Sequence, residues 1–119
     1  LEVASAGHPV PLVVEADGAV DWLTGSVSPP LGMPSRGERP VGSRTLAPGA
    51  SVVLFSDGLV ERRREQLDTG FARLAASASR HAGVGPEELA DAIVADLTAD
   101  DVIADDVIVV CVRWSGPPH

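Results

Sequence analysis

Ser51-Val52-Val53-Leu54-Phe55-Ser56-Asp57-Gly58 is the stretch whose reading decides the fold. Its first six residues carry an apolar run that does not alternate, which predicts a strand over Ser51–Ser56 buried on both faces. Asp57 follows at the strand's exit, and Gly58 allows a sharp turn and the close approach of a ligand to the backbone. A second run of the same kind, Val107-Ile108-Val109-Val110-Cys111-Val112, is opened by Asp105-Asp106. If the two strands are antiparallel neighbours, the exit of one lies beside the entry of the other, and their carboxylates crowd one rim of a sheet. Anions held close together are costly, and the usual remedies are a shared proton or a bound cation. Oxygen donors without His or Cys beside them suit Mg²⁺ or Mn²⁺ rather than zinc. Position alone leaves plainer roles open: Asp57 as a helix cap, and Asp105-Asp106 as a solvated turn.

Upstream, the chain reads as β-structure. Glu2 to Ala6 predicts a strand broken by Gly7-His8-Pro9. Pro11–Glu15 and Ala19–Leu23 flank Asp17-Gly18, a pair that tolerates positive φ and therefore predicts a hairpin. Thr24 to Gly42 holds Pro29, Pro30, Pro34 and Pro40 and predicts a loop anchored by Leu31 and Met33. Ser43 to Ala47 predicts a further strand. Downstream the period changes. Asp68 is placed to cap a helix whose apolar stripe is Phe71, Leu74, Ala75 and Ala78. Gly83 and Gly85 end it, and Pro86 with Glu87 and Glu88 starts another, striped by Leu89, Ala92, Ile93 and Leu97. Strands, loop, strand, two helices, strand make an α+β layout, with residues 1–115 as the domain portion and 116–119 as a disordered tail.

Composition removes several function classes. The chain has 119 residues, a formal charge of −8 and 45% hydrophobic residues, enough for one core and too acidic for a phosphate backbone to be a natural partner. No apolar run approaches the ~20 residues that span a bilayer. The single cysteine, Cys111, excludes an internal disulfide and a cysteine-based zinc site. All nine basic residues are Arg. The chain opens at Leu1, inside an expected strand and without a secretory leader, which reads as a piece of a longer protein.

Five short motifs occur in order: Ala6-Gly7-His8-Pro9, Pro30-Leu31-Gly32, Leu46-Ala47-Pro48-Gly49, Leu54-Phe55-Ser56-Asp57-Gly58-Leu59-Val60-Glu61 and Asp105-Asp106-Val107. Together they resemble the C-terminal half of the metal-dependent (type 2C) protein serine/threonine phosphatases, in the bacterial sporulation stage II E-like branch. That resemblance implies part of a β-sandwich flanked by helices, with a binuclear Mn²⁺ or Mg²⁺ centre at one end. It implies that aspartates hold the metals and that no side chain is the nucleophile: a metal-activated water attacks phosphorus. By motif, Asp57 matches one metal ligand and Asp105 another. Asp106 is the neighbouring candidate, and Gly58 lines the approach. The implied partner is a phosphorylated regulatory protein of the anti-sigma-factor antagonist type, in the cytoplasm, with neither nucleic acid nor membrane involved in this segment.

The family's bridging Asp-Gly element belongs to an N-terminal half, and Asp17-Gly18 cannot replace it because its context is a hairpin. The resemblance therefore implies half a metal site, little activity alone, and exposed sheet edges through which copies self-associate. A non-catalytic, phosphatase-like binding module is the rival reading. Two other resemblances fail on context. Asp68-Thr69-Gly70 spells an aspartic protease motif, but Arg62-Arg63-Arg64-Glu65-Gln66 precedes it instead of an apolar strand. Ser56-Asp57-Gly58 lacks the nucleophilic Asp of haloacid dehalogenase-type enzymes, since Phe55 stands in that place. Arg62, Arg63 and Arg64 suit either a docked phosphate or acidic partner, or a solvated helix face.

Overall fold

The computed structural model describes residues 1–25, 27–34, 37–99 and 106–118. Its chain order is β1 (Glu2–Val3), β2 (Ser5–Ala6), β3 (Leu12–Val14), β4 (Val20–Trp22), β5 (Val27–Ser28), β6 (Gly42–Ser43) and β7 (Ser51–Phe55). A 3-10 turn (Asp57–Leu59), α1 (Leu67–Arg80), α2 (Pro86–Leu97) and β8 (Val109–Arg113) complete it.

The main sheet is antiparallel in the order β4-β3-β7-β8. The hairpin at Asp17-Gly18 is present, with the Glu15 N–H donating to the Ala19 carbonyl at 2.8 Å. Only Gly18 takes the positive φ, while the Asp17 carboxylate accepts from the Ala19 N–H at 3.0 Å. Register aligns Leu12, Val53 and Cys111 across three strands, and Val13, Val52 and Val112 on the opposite face. Because successive strand residues point to opposite faces, this register divides the core in two.

The larger cluster gathers Leu12, Val14, Val53 and Phe55 with Leu59, Val60, Leu74, Ala78, Leu89, Ile93 and Leu97. Leu74 and Ala78 of α1 and Leu89, Ile93 and Leu97 of α2 are stripe residues that the helical spacing predicts; Phe71 packs against the cluster, while Ala75 and Ala92 are half-buried outside it. The other face is thinner: Val13, Leu23 and Val52, with Val3 and Leu46 over them. Beyond that cover the sheet is open, and Leu54, Val110 and Val112 are exposed at 42%, 46% and 55%. The expectation of two strands buried on both faces therefore fails for β8 and for Leu54 of β7. One helix layer covers one face only, and on the other side Val3 and Leu46 pack over a small cluster of Val13, Leu23 and Val52. β8 also starts later than expected, at Val109.

The N-terminal strand is two pieces with different partners. β1 pairs antiparallel with β6, and β2 pairs parallel with β5. So the segment expected to be loop from Thr24 to Gly42 contains a strand, and the strand expected over Ser43–Ala47 is reduced to Gly42–Ser43. Leu31 and Met33 are not anchors, being 79% and 57% exposed. The actual anchor is Gly7: its N–H donates to the Ser28 carbonyl at 2.9 Å, and at φ +76° a Cβ there would stand 2.5 Å from Pro30 Cγ. That contact ties the Ala-Gly-His-Pro motif to the Pro-Leu-Gly motif.

Asp68 is not the cap of α1. The helix begins at Leu67 behind Gln66, and Asp68 lies in its first turn, where its charge meets the positive end of the dipole. Between the helices, Asp96 Oδ2 accepts from Ser77 Oγ at 2.7 Å and lies 3.0 Å from His81 Nε2 and 3.2 Å from Arg80. The Ser77 hydrogen bond, with His81 and Arg80 behind it, holds the Asp96 carboxyl below its ordinary pKa despite some desolvation. A carboxyl lowered in the folded state stabilises the fold above its unfolded pKa and loses that contribution as pH falls through the folded value. The helix pair is expected to loosen on acid titration. Ser77→Ala is expected to move the acid midpoint, followed by far-UV circular dichroism, to higher pH. An unmoved midpoint would show that the bond contributes nothing.

Candidate metal-binding rim

The pairing of β7 with β8 runs Phe55 against Val109 at the rim, so the next residues of one strand face the preceding residues of the other. Ser56 joins them. Its N–H donates to the Ile108 carbonyl at 3.0 Å, and its Oγ accepts from the Ile108 N–H at 2.8 Å. The same hydroxyl donates to the Asp106 carbonyl at 3.2 Å. Asp57 is thus one residue beyond a direct contact with Asp106, and both are exposed. Asp105 lies outside the described residues.

Asp57 does not cap a helix through its side chain. It opens the 3-10 turn, and its carbonyl accepts from the Val60 N–H at 3.0 Å and the Glu61 N–H at 2.9 Å. This fixes the backbone and leaves the carboxylate at the surface. Gly58 and Leu59, the other two residues of the turn, are buried. The turn rests on α1, since Val60 touches Gly70 closely enough that a Cβ at 70 would lie 2.0 Å from the Val60 oxygen. Sequence reasoning missed Ser56, although a hydroxyl at a strand end beside an Asp is a common bridge. His8 supports its turn through its backbone: its carbonyl accepts from Ser5 Oγ at 3.0 Å, and its ring is exposed.

In kind, these donors fit a hard divalent cation. Two carboxylates share a rim, and the one thiol is no competitor, because burial pushes Cys111 up to about 11, a protonated group at neutral pH. In number they fall short. Among the described residues no three His, Cys, Asp or Glu side chains are grouped to hold a metal.

The family model described as "Stage II sporulation protein E (SpoIIE)" matches residues 1–115. Among solved structures, the RsbU and RsbW domains of Rv1364c from Mycobacterium tuberculosis align with 98% of this chain at 30% identity and a TM-score of 0.81. The PP2C phosphatase domain of SpoIIE from Bacillus subtilis, with a fragment of its regulatory domain, aligns with 94% at 23% identity and a TM-score of 0.74. The Mn-presoaked phosphatase domain of the same SpoIIE aligns with 100% at 22% identity and a TM-score of 0.66. The chain spans 33%, 33% and 56% of the lengths of those three chains. The one-sided cover of the main sheet agrees with a chain that is part of a larger domain.

Proposed function

Because the chain belongs to the stage II sporulation protein E (SpoIIE) family of type 2C phosphatase domains, we propose that it forms the C-terminal, metal-holding portion of a protein serine/threonine phosphatase. Asp57 and Asp106, with Asp105 of the same pair, would hold Mn²⁺ or Mg²⁺ alongside carboxylates from the rest of a complete domain. The metal's contribution when bound is to lower the pKa of a water and to neutralise charge on the phosphoryl oxygens. The chain's own residues supply position. Ser56 locks the two strand ends together, and the 3-10 turn holds the Asp57 backbone in place. The observation that carries this reading is the Ser56 bridge between the exit of β7 and the entry of β8.

The substrate in this reading is phosphoserine or phosphothreonine on a regulatory protein of the anti-sigma-factor antagonist type, met in the cytoplasm. No helix among the described residues is long and apolar enough to cross a membrane. Alone, the chain binds metal weakly and hydrolyses little. Turnover of p-nitrophenyl phosphate with Mn²⁺ is expected near background for this chain and well above it for a complete domain that carries it. Comparable rates would overturn the reading of the chain as half a site. Asp57→Asn is expected to weaken Mn²⁺ binding about tenfold or more in calorimetric titration. If neither binding nor activity changes, Asp57 is not a ligand. A complete domain that binds no Mn²⁺ is the outcome expected of a non-catalytic module.

Self-association belongs to the same proposal. The open apolar face carries Leu54, Val110 and Val112, and β8 is an edge strand. Sedimentation velocity is expected to show concentration-dependent association that Val112→Asp reduces, at a stability cost of about 0.5 kcal/mol or less. A chain that stays monomeric at every concentration tested would refute it.

A further inference from the structure

Eight arginines are described, and six have partners: Arg39, Arg44, Arg62, Arg73, Arg80 and Arg113 each bond within the fold. Arg63 and Arg64 are exposed and have no hydrogen-bonding or ionic partner among the described residues. In a chain of net charge −8 this is an unusual pair to leave unmatched beside a rim of carboxylates. Their place is fixed by the backbone. The Glu61 N–H is bonded to the Asp57 carbonyl at 2.9 Å, and two further residues span at most about 7 Å. An arginine side chain is nearly that long again, so the ground in front of Asp57 lies within reach of Arg63, and Arg64 stands one residue further along.

The turn that carries them is tied down at both ends. Arg62 donates to the Leu97 carbonyl at 2.8 Å, Glu65 meets Arg73 at 2.7 Å, and the Glu65 N–H reaches the Arg62 carbonyl at 3.3 Å. Arg64 takes φ +63°, the one positive φ of a non-glycine residue among those described. Left-handed backbone at a residue with a side chain is held only where its surroundings insist on it. Anchored flanks and free tips distinguish this turn from a merely solvated charge run.

We propose that Arg63 and Arg64 form a cationic arm that engages the phosphoryl group of a phosphorylated serine or threonine segment as it approaches the Asp57 rim. The proposal rests on the phosphatase reading and adds a specificity determinant to it. A phosphomonoester dianion nearing a carboxylate rim is repelled unless cations stand in its path, and the planar fork of arginine matches its oxygens. Glu65 is already matched by Arg73, which leaves Glu61 as the nearest opposing charge within the turn.

The test is fluorescence anisotropy on this chain in EDTA, with a labelled neutral-flanked phosphoserine peptide and its unphosphorylated twin. The phosphopeptide is expected to bind about tenfold more tightly than its twin, with an affinity that falls as salt rises. Arg63→Gln with Arg64→Gln is expected to weaken it about fivefold, while the double Lys variant keeps most of the affinity and Glu61→Gln raises it. Arg63→Gln alone, at a residue without the unusual backbone, is expected to lose about half of the affinity even if the double variant fails to fold. Equal binding of the two peptides, no detectable phosphopeptide binding, or wild-type affinity in Arg63→Gln overturns the proposal. Because no metal is present, this result is read separately from the Mn²⁺ titration that tests the phosphatase reading.

Discussion

Gly70→Ala is expected to destabilise the folded chain by about 2–4 kcal/mol and to lower its melting temperature by roughly 10 °C. Helix propensity argues the opposite sign, since Ala is favoured over Gly inside a helix by about 1 kcal/mol. The contact decides. A Cβ at position 70 would stand 2.0 Å from the Val60 carbonyl oxygen and 2.8 Å from its carbon. Both are backbone atoms of a residue that is 1% exposed, so no side-chain rotation relieves the clash. Either α1 backs away from the 3-10 turn or the turn moves, and the turn is the segment that Asp57 opens. Thermal and urea denaturation of the two proteins measure the difference, and a higher melting temperature for the Ala variant would refute the account. The glycine of a false protease motif is thus the point at which the first helix bears on the proposed metal rim.

What the sequence made legible, and what it did not, follows from the range of the interactions involved. The stripes of α1 and α2 and the hairpin at Asp17-Gly18 are set by neighbours a few residues away, and periodicity or turn chemistry reads them. The parallel pairing of Ser5 with Val27, and of Ala6 with Ser28, joins segments with no local signal for each other. A two-residue strand has no period to detect, so that region reads as loop from its sequence. β8 illustrates a different limit. Its Val-Val-Cys-Val run is as apolar as a doubly buried strand, yet Val110 and Val112 are exposed because no described residue covers them. Hydrophobicity reports what a strand is suited to pack against, and only the tertiary arrangement says what is there.

The rim was legible in a narrower sense. Asp57 at a strand's exit and Asp106 just ahead of another strand are positional facts, and their proximity needed only an antiparallel pairing. The pairing exists, and Ser56 cements it. The assignment of metal ligands rests on resemblance, because two carboxylates on one rim do not distinguish a cation site from a solvated edge.

Phe55→Ala is expected to cost about 3–5 kcal/mol, enough to leave much of the chain unfolded if the fold is as marginal as single small domains commonly are. Phe55 is the last residue of β7 and is 8% exposed. Its ring stands edge-on to Trp22 at 6.1 Å and to Phe71 at 6.2 Å, and those two meet at 5.3 Å. The trio joins β4, β7 and α1, so truncating Phe55 removes a contact from the hairpin and another from the helix. Part of the cost is the buried area and part is the edge-to-face pairing, about 0.5–1.5 kcal/mol per pair. Phe55→Leu retains most of the volume and is expected to cost less than half as much, which separates cavity formation from loss of the aromatic contacts. Urea denaturation followed by the combined emission of Trp22 and Trp114 reads both variants. The Leu variant should also show the effect on the rim: Ser56 and Asp57 continue directly from this residue, so a loosened Phe55 is expected to weaken Mn²⁺ binding along with stability. If Phe55→Ala unfolds at the same urea concentration as the parent, the aromatic trio is not what fastens the strand end, and the positioning argument for Asp57 loses its support in the core.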